Sequence, residues 1–109
     1  MNTYTPDVWV VLEFTGTSLP TPVYKVFAGW YGGFAGSNSW QLNSGITRTR
    51  RENDWIEFDG ASGSVYSCHP NNYQMSSLMH DVYESWQQKS RKQTDIKIRI
   101  LTLDEVLET

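Results

Sequence analysis

Apolar residues first cluster at Val8-Trp9-Val10-Val11-Leu12-Glu13-Phe14. The run is β-branched and aromatic, which predicts a strand. It has no polar face, because Trp9 and Val11 oppose Val10, Leu12 and Phe14. Such a strand is central, or one of its faces is covered by a partner. Two prolines among Thr and Ser make residues 16–22 a loop. Val23–Trp30 predicts a second strand that runs into a glycine-rich loop. Residues 40–51 predict a third, interrupted near Asn43-Ser44-Gly45. Glu52-Asn53-Asp54 reads as a tight turn, and Trp55-Ile56-Glu57-Phe58 as the return strand of a hairpin that sets Glu57 across from Arg48. Beyond the turn Asp59-Gly60-Ala61-Ser62-Gly63, the run Ser64-Val65-Tyr66-Ser67-Cys68 predicts a short fifth strand, ended by Pro70-Asn71-Asn72.

The period then changes. Met75, Leu78, Met79, Val82, Tyr83 and Trp86 form the stripe of an amphipathic helix. Ser76 is its N-cap candidate, and Lys89, Arg91 and Lys92 suit the negative end of the helix dipole. The helix is expected over residues 76–89, with its stripe on a sheet face. Asp95-Ile96-Lys97-Ile98-Arg99-Ile100 alternates cleanly and predicts a last strand with one wet face. Thr102-Leu103-Asp104-Glu105 matches a capping box, so Leu103–Glu108 predicts a short helical turn folding back on the core. The expected architecture is α+β: a mostly antiparallel sheet of about five to six strands with one helix on one face, in the order βββββαβ plus the C-terminal turn. Residues 1–109 are read as one domain.

Composition narrows the class. The formal net charge is −3 and the pI about 5.2, which argues against bulk affinity for nucleic acid. Cys68 is the only cysteine, so no intramolecular disulfide forms, and a reducing compartment is expected. No run approaches the ~20 apolar residues of a membrane span. The N-terminal residues lack the basic and apolar regions of a signal peptide. A soluble cytoplasmic protein is expected.

Candidate chemistry is sparse. A catalytic thiol needs a base within reach, but Cys68 and His69 are successive strand residues pointing to opposite faces. Only His80 could serve, so Cys68 is read as core packing. Two histidines and one cysteine do not make a metal-site spacing, and His80 with Glu84 reads as a solvated helix pair. Asp54, Glu57 and Asp59 cluster at the hairpin without the split environments of an acid–base pair. No catalytic residue, metal or cofactor is expected.

Binding is better signalled. Between Gly29 and Trp40 stand four rings and four glycines without a charge. Trp30, Tyr31 and Trp40 offer stacking surface. The turn Ser62-Gly63-Ser64 offers donors as an anion nest, against the plain reading of a tight turn needing positive φ. Arg48 and Arg50 offer forks for phosphate, against the plain reading of a solvated strand face. Tyr66 could orient a ligand through its hydroxyl.

The run Trp30-Tyr31-Gly32-Gly33 … Ser39-Trp40-Gln41-Leu42-Asn43-Ser44-Gly45-Ile46 … Ser62-Gly63-Ser64-Val65-Tyr66 resembles small bacteriophage-encoded proteins of unknown function over roughly residues 8–69. The resemblance carries no site residues. It implies a small phage product in the host cytoplasm, of a kind that often blunts host defence by binding. Two readings follow. The chain sequesters a nucleotide-like molecule, with rings stacking on a base and arginines on phosphates. Alternatively, it inhibits a host protein through an exposed aromatic patch. The unpolar first strand also predicts self-association, with a two-fold dimer as the commonest form.

Overall fold

The computed structural model describes residues 2–32, 37–93 and 95–108. The architecture is α+β, but its strands form two sheets rather than one. The elements are β1 (Thr3–Tyr4), β2 (Val8–Thr15), β3 (Val23–Trp30), β4 (Ser39–Leu42), β5 (Ile46–Glu52), β6 (Trp55–Gly60), β7 (Val65–Cys68), a 3-10 turn (Pro70–Asn72), α1 (Ser77–Gln93), β8 (Lys97–Ile100) and α2 (Leu103–Glu108). One sheet runs β1-β7-β6-β5 and the other β4-β3-β2-β8. All pairings are antiparallel except β1 with β7.

Both faces of β2 are covered by its own chain. Trp9 and Val11 point into the space between the sheets, with Val26, Ala28, Ile56, Phe58, Tyr66, Cys68, Leu101 and Val106. Val8, Val10 and Leu12 point the other way, toward Phe27 and Met79 of α1. The layers are therefore sheet, sheet and helix. This arrangement removes the argument that β2 needed a partner subunit to cover its second face.

The interruption at Asn43-Ser44-Gly45 is the corner between the sheets. β4 ends on β3, and β5 begins in the other sheet. Asn43 holds the corner: its side-chain oxygen accepts from the Val26 and Gly45 amides at 2.9 and 3.3 Å. Gly45 takes φ 131°, in the region that favours glycine. The following hairpin turns at Asn53-Asp54, with Asn53 at φ 58°, so the register pairs Arg50, not Arg48, with Glu57. The turn has two residues, and the pairing is offset by two positions from the expected one.

α1 packs as its stripe predicts, with one exception. Met75, Met79, Val82, Tyr83 and Trp86 join the helix-side core, whereas Leu78 is only half-buried and stands outside it. The Met79 amide donates to the Ser76 hydroxyl at 3.2 Å, so Ser76 is the N-cap. The capping box is also present: the Glu105 amide donates to Thr102 Oγ1 at 3.1 Å, and the Thr102 amide donates to Glu105 Oε1 at 2.9 Å.

Candidate functional site

Trp30, Tyr66 and Trp40 are divided between the layers. Trp30 ends β3 on the face toward the other sheet. Its Nε1 donates to the Thr5 carbonyl at 3.1 Å, and its ring stands edge-on to Tyr4, 6.2 Å away. Tyr4 in turn stacks on Tyr66 at 5.0 Å. Trp30 and Tyr66 are thus joined through Tyr4, as packing between sheets. Tyr66 is buried, and burial raises its hydroxyl to about 12, so no solvent-borne ligand reaches it there.

Trp40 lies on the opposite face. It sits across from Gly29 in the β3–β4 ladder and packs edge-to-face on Phe27 and Trp86, 5.7 and 5.4 Å away. Phe27 and Trp86 close the triangle at 5.1 Å. On the same face Gly29 leaves room for Met79, because a Cβ there would clash with Met79 Sδ. Trp40 remains 39% exposed and Tyr31 49%. Among the described residues Tyr31 is tied through its backbone amide, which donates to Asp7 at 2.8 Å. The chain between them, residues 33–36, lies outside the described residues.

In the turn Ser62-Gly63-Ser64 the first two amides are spent internally. Gly63 has φ 96°. Gly60 N–H donates to the Ser64 carbonyl, Gly63 N–H to the Gly60 carbonyl and Ala61 N–H to the Gly45 carbonyl, at 2.8, 2.9 and 2.9 Å. Ser62 N–H donates to Ser44 Oγ at 2.9 Å. An anion nest needs such donors free; here the Ala61 and Ser62 bonds fasten the turn to Ser44-Gly45, and the other two close it on itself. The tight-turn reading accounts for this segment.

Arg48 and Arg50 both stand on the outer face of the β5–β6 hairpin. Arg50 donates to Glu57 at 2.8 Å and to Asp59, and the Asp59 bond chiefly raises its pKa. Its guanidinium is thus matched by Glu57 and Asp59, and it offsets those two members of the acidic cluster at the hairpin. Arg48 is exposed, across from Asp59. The nine sequence-predicted positions therefore do not line one pocket.

Cys68 is fully buried between the sheets, and burial drives its thiol pKa well up. His69 faces elsewhere: its Nδ1 accepts from the Asn71 amide at 3.1 Å, and its ring meets Trp55 edge-on at 5.1 Å. His80 and Glu84 are both exposed on α1. Among the described residues, no group of three or more His, Cys, Asp and Glu could hold a metal. No helix among them is long and apolar enough to cross a membrane.

Sequence reasoning missed two features. Trp55, 37% exposed, borders a groove of about 480 Å³ with Arg51, His69 and Asn71. Its place on the outer sheet face was readable from the alternation Trp55, Glu57, Asp59. A second cavity lies between the sheets. It was unreadable, because the sequence does not tell which sheets face each other. No family model, curated protein or solved structure matches the chain.

Proposed function

We infer that this chain is a non-enzymatic binding protein that grips a partner protein through the aromatic patch centred on Trp40. The observation that carries this reading is the Phe27–Trp40–Trp86 triangle, with Phe27 fully buried beneath it and Trp40 left open. Large rings with few rotamers bury much area at little entropic cost, and Trp and Tyr dominate binding hot spots. Tyr31, also exposed, is a second anchor. The phage resemblance suggests a host protein as the partner and the host cytoplasm as the compartment.

The nucleotide-sequestering reading ranks second. The groove lined by Arg51, Trp55, His69 and Asn71 supports it. Purification from host cytosol tests both readings. A host protein retained by the wild type and by Trp55→Ala, but lost with Trp40→Ala, is the expected result. Release of a compound absorbing near 260 nm on denaturation, with no retained protein, would replace this reading with the second.

A further inference from the structure

The two sheets do not close completely on each other. An apolar cavity of about 100 Å³ remains between them, lined by Val11, Tyr24, Ile46, Thr49, Phe58, Leu101 and Val106. Val11, Phe58, Leu101 and Val106 are buried and form its floor, whereas Tyr24, Ile46 and Thr49 are half-buried and form its mouth. The fold explains the gap. β5 enters its sheet with a bulge between Ile46 and Arg48, and a bulge bends its strand away from regular pairing. The opposite wall is carried by α2, whose Val106 is its one buried residue.

The walls of this cavity are held from outside. Arg99 donates to both oxygens of Glu105 at 3.0 and 2.9 Å and to Glu13 at 3.2 Å. The Tyr24 hydroxyl donates to the other Glu13 oxygen at 3.2 Å. Arg51 donates to the Leu107 carbonyl at 2.8 Å. α2 is thereby clamped over an apolar space that its own side chains do not fill. Close-packed interiors leave few voids larger than a water molecule. A void with mainly apolar walls stays dry, and one of about 150 Å³ accepts benzene; at about 100 Å³ this one has room for no more than a single ring.

The geometry points to a binding site for a small monocyclic arene, with the ring among Val11, Phe58, Leu101 and Val106 and any polar substituent at the mouth beside Tyr24 and Thr49. The site is independent of the Trp40 patch, which lies on the other face of the β4-β3-β2-β8 sheet. Benzene is the probe, and methyl-resolved NMR of the full chain is the readout. Saturable shifts are expected at Val11, Ile46, Leu101 and Val106, and none at Val8, Val10 and Val82 in the helix-side core. Val106→Phe should fill the space and weaken the response at least tenfold; Ile46→Phe at the mouth is the second filling variant should the first not fold. Wild-type shifts that do not saturate up to the solubility limit of benzene, or that appear equally in both cores, would overturn the assignment. So would an undiminished response in a folded filling variant.

Discussion

Tyr73 shows how one hydroxyl can complete a sheet. β8 leaves β2 at Leu101, whose amide still donates to the Val11 carbonyl at 3.0 Å. The return bond is not made directly. Val11 N–H donates to the Tyr73 hydroxyl at 3.0 Å, and that hydroxyl donates to the Leu101 carbonyl at 2.6 Å. The Tyr73 backbone then takes over beside Trp9. Tyr73→Phe leaves a buried amide and carbonyl unpaired, so about 1–3 kcal/mol of stability should be lost in chemical denaturation. At Cys68 the expectation is kinetic. Its thiol is buried with a raised pKa, and only the thiolate reacts, so a thiol reagent should modify it at the rate of global unfolding. Fast labelling of the native chain would contradict that burial. Cys68 was readable as a core residue from its apolar strand. The role of Tyr73 was not, because its partners lie 62 and 28 residues away.

At the level of elements, local signals located most of the boundaries. β2, β3, both caps and α2 follow from β-branched runs, helical spacing and capping chemistry within a few residues of each other. Long-range pairing was not legible: nothing near Asn43-Ser44-Gly45 distinguishes a bulge within one strand from a corner between two sheets. The α1 stripe illustrates the limit. Leu78 fits its period as well as Met79 does, yet Met79 is fully buried and Leu78 lies at the margin. Met79→Ala should therefore cost about 2–5 kcal/mol, and Leu78→Ala well under half of that; equal losses would mean the helix sits rotated on its sheet. α2 makes a pH prediction. The Arg99 hydrogen bonds, and then the Thr102 amide, hold the Glu105 carboxyl at about 2, below its ordinary 4.5. A depressed folded pKa contributes stability above the unfolded pKa, and that contribution is lost as pH falls through the folded value. Thermal stability should thus fall between about pH 4.5 and 2, with a shallower fall in Glu105→Gln. The same slope in both proteins would assign the acid sensitivity to other carboxylates.

For the whole molecule, the layering decides what each aromatic residue can do. Because β2 is covered by a second sheet on one side and by α1 on the other, its apolar residues give no reason for a subunit interface. Among the described residues, the large apolar side chains left exposed are Trp40, Tyr31 and Trp55. Trp30 and Trp40 are nearly equivalent in the sequence, since both flank the same glycine-rich segment, and they separate only once the sheet gives them opposite faces. Trp30→Ala removes a ring packed between the sheets on Tyr4 and should lower stability by about 2 kcal/mol or more, toward the range for truncating a core aromatic. Capture of the proposed partner by the folded fraction should be unchanged. Trp40→Ala trims the open corner of the aromatic triangle, so the melting temperature should fall less. Partner affinity should fall by about 2 kcal/mol, the size of a hot-spot loss, or roughly thirty-fold. Melting and capture measured together on the two variants separate packing from recognition. If both variants melt early and neither loses capture, Trp40 belongs to the helix-side core, and the partner surface must be sought on the outer face around Trp55.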